Sequence, residues 1–187
     1  MPETNPISEA FEKFKNHYAA RLGQVEVATD LPKIPEIKAP FIVKSAKLKD
    51  VNYPTIFSQG QRTSDVIVLT HGLSDSTHYM LAIGKRFYQH GLNVVLPLLP
   101  GHGLKDPDKA MEDRNLDVKW RQEIDHAVDV GLLLGDRISL GGFSTGGALS
   151  LNKILRDPNN IKGILFIFSA AIDLGFLIET SSGYPVI

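Results

Sequence analysis

The stretch Arg137-Ile138-Ser139-Leu140-Gly141, followed by Gly142-Phe143-Ser144-Thr145-Gly146-Gly147, decides how this chain is read. The first five residues predict a strand. Thr145 to Arg156 predicts a helix, stopped by Asp157-Pro158 because the residue before a proline disfavours helix. The pattern G-x-S-x-G therefore falls where a strand turns into a helix. A turn that sharp holds Ser144 in a strained conformation with its hydroxyl above the sheet edge. The residues two before and two after the serine approach closely, and Gly142 and Gly146 have no Cβ to clash there. The free N–H groups and the positive end of the following helix point at the same place. An oxyanion developing there would be met by the Thr145 N–H.

Upstream, Asp65 to Thr70 (DVIVLT) is a continuous apolar run, as in a strand buried on both faces. Ser76 to His90 predicts a helix with Met80, Ile83, Phe87 and Tyr88 inward and Gly91 as its stop. Leu92 to Leu96 is the next buried strand, Pro97 to Lys109 a loop, and Lys119 to Leu134 a helix with Trp120, Ile124, Ala127, Val128, Gly131 and Leu132 inward. Ile161 to Ser169 is a further buried strand. Strands alternating with helices predict an α/β fold, a mostly parallel sheet with helices on both faces.

Before residue 65 the pattern differs. Ile7, Phe11, Phe14, Tyr18 and Leu22 form one helical stripe, read as a helix packed on the body. Residues 29–40 carry three prolines and read as an extended linker. Phe41 to Leu48 and Tyr53 to Ser58 read as a hairpin-like pair. Residues 1–40 are thus expected to form a helix and linker, and 41–187 a core.

The charge balance, 20 Lys+Arg against 21 Asp+Glu, gives no global reason to expect nucleic acid or an anionic membrane as partner. With no cysteine, disulfides, thiol catalysis and cysteine-ligated metals are excluded. Met1 to Ala10 has no basic and apolar sequence of a secretory signal, and Ile161 to Leu177 is too short and polar to span a bilayer. No stable membrane insertion and a cytoplasmic location are expected. P-loop, G-x-G-x-x-G and H-E-x-x-H patterns are absent. No cofactor and no metal are expected.

An oxyanion needs a second donor. Thr70-His71-Gly72-Leu73 follows the strand Asp65 to Thr70 at the carboxyl end of the sheet, and the Leu73 N–H can supply it. His71 reads as a hydrogen-bonded support of that loop rather than as the proton acceptor. His102, in Pro100-Gly101-His102-Gly103, reads as loop structure or pocket lining.

These residues resemble the α/β-hydrolase superfamily. The likeness rests on His71-Gly72, the Leu99-Pro100-Gly101-His102-Gly103 loop, Trp120 and the Gly142–Gly147 turn, and covers about residues 41–175 by the order of elements. It looks most like the monoglyceride-lipase, carboxylesterase and S33 serine-peptidase branch. The helix before residue 23 is not explained by it. The resemblance implies Ser144 as nucleophile, Leu73 and Thr145 as main-chain oxyanion donors, and a loop at Ala170 to Gly175 leading to a lid. It implies hydrolysis of a small-molecule ester or related acyl bond through an acyl-enzyme, without a cofactor.

In that fold the triad runs Ser, then Asp or Glu, then His along the chain. All six histidines here precede Ser144. The acids after it are Asp157, Asp173 and Glu179; Asp157 reads as a turn residue, and Asp173 is the candidate acid although no base follows it. The expectation is a serine hydrolase with an impaired triad, the sheet lacking its C-terminal strands. An uncovered apolar strand at Ile164 to Phe168 would then favour self-association. The alternative is a non-catalytic relative that binds an acyl ligand or a partner chain.

Overall fold

The structure, a computed structural model, describes residues 5–30 and 36–170. It opens with helix α1 (Pro6–Leu22). Asn5 caps it, its Oδ1 accepting the Ile7 N–H at 2.9 Å, and Gly23 ends it at φ 82° with its N–H on the Ala19 carbonyl. Both ends are closed as capping chemistry requires. The expected stripe is buried at Ile7, Phe14, Tyr18 and Leu22, while Phe11 is half-buried and stacks on Phe41 at 4.3 Å between ring centroids.

The strands are β1 (Glu26–Ala28), β2 (Phe41–Lys44), β3 (Thr55–Phe57), β4 (Thr63–Thr70), β5 (Asn93–Leu96), β6 (Gly135–Ser144) and β7 (Leu165–Ala170). They form one sheet in the order β1-β2-β3-β5-β4-β6-β7. The first three are joined antiparallel, and β3 meets β5 antiparallel. The pairs β5–β4, β4–β6 and β6–β7 are parallel. The alternating segment from residue 65 onward thus gives the parallel half, and the hairpin-like start gives the antiparallel half.

Helices α2 (Thr77–Gln89), α3 (Asp108–Met111), α4 (Leu116–Leu134) and α5 (Thr145–Arg156) complete the fold. The run of apolar residues in β4 divides between two cores. Val66 and Val68 join α1, α4 and α5 on one face, through Phe14, Trp120, Ile124 and Leu149. Ile67 and Leu69 join Met80 and Leu81 of α2 on the other. Successive side chains of a strand point to opposite faces, so an uninterrupted apolar run is what two covered faces require. Among the described residues no helix is long and apolar enough to cross a membrane.

Four expectations change: Leu132, read as inward, is exposed on α4 one position past the buried Gly131, and three elements differ. The Pro-rich stretch is preceded by a short edge strand, β1, whose Val27 is exposed and left no apolar alternation to read. The loop after β5 contains the single turn α3. The last described strand starts at Leu165, not Ile161. Before it, the Gly163 N–H bonds the Ile138 carbonyl at 2.8 Å and the Ile164 N–H bonds Ser139 Oγ at 3.0 Å. Those bonds bring the chain in beside the first half of β6, and Ile164 stays outside the core, 63% exposed. What flanks β7 on its far side falls on residues 171–187, outside the described residues. So do Asp173, Glu179 and most of the expected lid loop.

Candidate active site

Strands β4 and β6 lie side by side with Thr70 opposite Gly142. Both therefore end at the same edge, and the loops that follow them meet. Ser144 is the last residue of β6 and caps α5 at φ 52°, ψ −117°. Few non-glycine residues adopt a positive φ, and it costs on the order of 1–3 kcal/mol. Its side chain makes no capping bond to the helix, so the hydroxyl is left for another use.

The glycines around it explain the motif. A Cβ on Gly142 would lie 2.5 Å from the Gly146 carbonyl oxygen and 2.6 Å from the Gly147 nitrogen. A Cβ on Gly146 would lie 2.6 Å from the His71 carbonyl oxygen and closer still to that of Thr70. Backbone meets backbone at both positions, and only glycine fits. Gly147 is also close-packed, its absent Cβ 3.0 Å from Ile167 Cγ2.

The loop after β4 sits directly on this turn. A Cβ on Gly72 would be 2.9 Å from Phe143 Cδ1 and 3.3 Å from the Phe143 carbonyl. Leu73 follows, half exposed, and its N–H has no hydrogen-bond partner among the described residues. Thr145 is the first residue of α5, so its N–H precedes the helical ladder. The Leu73 N–H, on the loop after β4, and the Thr145 N–H, at the start of α5, thus lie on the two segments that meet at the serine turn. Such an arrangement can stabilise negative charge developing on an oxygen.

Both histidines near the loop are held by hydrogen bonds to backbone, His71 at both ring nitrogens. His71 is completely buried. Its Nε2 accepts the Leu99 N–H at 3.1 Å, so the proton is on Nδ1, which donates to the Gly72 carbonyl at 2.8 Å. Burial, helped by the neighbouring His102, lowers its pKa to about 3. A neutral imidazole with both nitrogens occupied has no lone pair for the serine proton. His102 places Nε2 2.5 Å from the Leu73 carbonyl and Nδ1 3.1 Å from that of Pro100. Trp120 Nε1 donates to the same Pro100 oxygen at 2.8 Å. The expected support role of both histidines is what their bonds show. Asp173 lies outside the described residues, and no metal-binding cluster of three or more such side chains occurs among the described ones.

A cleft of about 360 Å³ opens beside Leu73, bordered by Asp75, His78, Tyr79 and His102. A larger cavity, about 560 Å³, lies between α1, α4 and the Pro100–Leu104 loop, away from Ser144. On its wall is a buried ionic cluster that the sequence reading did not anticipate. Glu123 of α4 accepts from Tyr18 OH at 2.5 Å and from Arg21 Nη1 at 2.6 Å, and His17 Nε2 lies 2.8 Å away. Burial raises the Glu123 pKa, but the Arg21 charge, His17 and the bonds outweigh it, and the net shift is downward. One signal was available: Glu123 lies three residues from Trp120 and four from Ala127, on the inward stripe of the helix.

Residues 105–180 match a family model described as phospholipase/carboxylesterase. Over 122 residues the chain is 30% identical to acyl-protein thioesterase 1 from two strains of Cryptococcus neoformans, an alignment covering 53% of this chain and 51% of that protein. The chain thus spans about half the length of the curated relatives it matches. Among solved structures, a metagenome-derived lipolytic enzyme from the LipS and LipT study has a TM-score of 0.54 at 23% identity, covering 66% of this chain and 51% of the other. TT1662 from Thermus thermophilus has 0.54 at 14%, covering 82% and 60%. The α/β hydrolase GrgF from Penicillium sp. sh18 has 0.52 at 20%, covering 80% and 46%. These structural likenesses speak for the fold.

Proposed function

We propose, from the premise that the chain belongs to the α/β-hydrolase superfamily, that it carries the nucleophile half of a serine hydrolase acting on an oxoester or thioester of a small acyl group. One observation carries this reading: a non-glycine residue, Ser144, at φ 52° between a strand and a helix, with glycine required two positions to either side. Strain of that kind persists where the surroundings over-determine it, and such places are typically functional.

The roles follow from the chemistry. Ser144 Oγ attacks the acyl carbonyl, and the carbonyl oxygen becomes an oxyanion. The N–H groups of Leu73 and Thr145 receive that charge. Each donor in such a pair is worth about 10²–10³ in rate. An acyl-serine forms as the alcohol or thiol leaves with the serine proton, carried to it through solvent, and water then adds, releasing the acid and the free serine. His71 does not take the serine proton, because its one unprotonated nitrogen already accepts the Leu99 N–H. With no base placed at Ser144 among the described residues, oxyanion stabilisation and binding leave a residual effect of about 10³–10⁴ over water. Turnover by these 187 residues is therefore expected to be slow. The name of the thioesterase relative favours thioesters among the substrates.

A second reading, a non-catalytic protein that binds an acyl ligand, is favoured by one fact: His71, beside the loop, is engaged at both ring nitrogens. Hydrolysis of p-nitrophenyl acetate and of an S-acyl thioester by the native protein and by Ser144→Ala separates the two. Slow release that Ser144→Ala abolishes supports the hydrolase. Release that is unchanged in Ser144→Ala sinks it.

A further inference from the structure

Helix α1 lies outside the superfamily resemblance, yet two of its side chains reach the segment behind the proposed oxyanion loop. Arg21 Nη2 donates to the Leu98 carbonyl at 2.7 Å, and the Leu98 N–H donates to Tyr18 OH at 3.0 Å. Leu98 and Leu99 are fully buried. The Leu98–Leu99 peptide is planar and trans, so its C=O and N–H point in opposite directions. With the carbonyl held by Arg21, the Leu99 N–H is turned the other way, onto His71 Nε2 at 3.1 Å. Across the ring, Nδ1–H donates to the Gly72 carbonyl at 2.8 Å. The same geometry then applies to the Gly72–Leu73 peptide. With its carbonyl held on the buried side, its N–H, that of Leu73, faces the opposite way.

We infer that α1 is part of the oxyanion machinery: Arg21 and Tyr18 are positioning residues, Arg21 orienting and polarising the Leu73 N–H through Leu98–Leu99, His71 and Gly72, and Tyr18 anchoring Leu98 through its own N–H. The inference rests on the proposed role of Leu73 and extends it to a helix the resemblance leaves unexplained. Chains of hydrogen bonds polarise one another, each bond strengthening the next by about 10–30%. The cation at Arg21 draws electron density from the Leu98 oxygen, which makes the Leu99 N–H a stronger donor. The effect passes through the imidazole to Gly72. Glu123 holds Arg21 and Tyr18 in place from the other side. The relay fixes one tautomer of His71, protonated at Nδ1.

The test is spectroscopic and needs no turnover, so a failed hydrolase reading and a failed relay give different results. In ¹⁵N-labelled native protein the His71 ring must give the Nδ1–H tautomer; the Nε2–H tautomer overturns the relay whatever any variant does. Arg21→Gln keeps a donor and removes the charge, and Tyr18→Phe removes the acceptor of the Leu98 N–H. Lys13→Met on the same helix, which loses only the surface pair with Asp129, is the control. The expected result is that Arg21→Gln shifts the amide protons of Leu99 and Leu73 upfield and Tyr18→Phe, by releasing Leu98, displaces both, while Lys13→Met moves neither. Shifts that stop at Leu99 and leave Leu73 unmoved overturn the inference. If either variant unfolds, Arg21→Lys, which keeps charge and donor, must leave the Leu73 amide at its native position, and a displaced Leu73 amide there counts against the relay.

Discussion

Gly146, in the first turn of α5, packs against the carbonyl oxygen of Thr70 at the end of β4, closer than any side chain permits. The contact joins the serine turn to the loop that carries Leu73. Gly146→Ala is expected to destabilise the protein by about 3 kcal/mol, the upper end of ordinary overpacking, because backbone rather than a flexible side chain must yield. Gly60→Ala is the comparison: its Cβ meets open space, and only the φ of 79° opposes it, for a cost of about 1 kcal/mol. Urea unfolding of the two variants checks the order.

Ser144 holds its conformation against its own side chain. Ser144→Gly removes that strain and is expected to stabilise the fold by about 1 kcal/mol, after the greater chain entropy of glycine is set against it. Acyl-ester hydrolysis is lost in the same variant. A lower urea midpoint than that of the native protein would contradict the strain at this position.

The buried His71 makes stability depend on pH. Its folded pKa of about 3 lies below the unfolded value of 6.5. As pH falls, the unfolded chain takes up this proton first, so stability is flat above about pH 6.5 and declines from there towards pH 3. The slope from this one group approaches 1.4 kcal/mol per pH unit. His126, lowered to about 4 by burial and then by His17, adds to the decline in the same direction. The difference in urea stability between native protein and His71→Gln should therefore shrink as pH drops from 7 to 4. A difference constant over that range would contradict it.

Glu123 is a buried carboxylate with three partners on α1. Glu123→Leu takes the carboxylate from the half-buried Arg21 and is expected to cost about 2–3 kcal/mol, below the loss of a fully buried pair because Arg21 keeps some solvent and its bond to the Leu98 carbonyl. Glu123→Gln, which keeps an acceptor, should cost less. Thermal unfolding of the pair measures the charge separately from the shape.

Much of this was legible in the sequence because it is local. The continuous apolar run of Asp65 to Thr70 required two covered faces, and Gly142 and Gly146 required a close backbone crossing. Both requirements are met where the spacing placed them. The strand expected from Ile161 began later because Gly163 and Ile164 bond to Ile138 and Ser139 in the first half of β6, a contact between residues some 25 apart in sequence. The Glu123 cluster was harder to read for the same reason: its partners lie over 100 residues away on α1. Periodicity names the inward face of a helix but not what waits opposite it. His71 and His102 were read as loop supports, while the tautomer of His71 needed the Leu99 N–H, which only the fold brings near.

Reaction of the native protein with a fluorophosphonate, followed by intact-mass and peptide mapping, tests the central claim most directly. The account predicts one slow adduct, on the peptide containing Ser144, and none in Ser144→Ala. An adduct on another residue, or none after prolonged incubation of the folded protein, would contradict it.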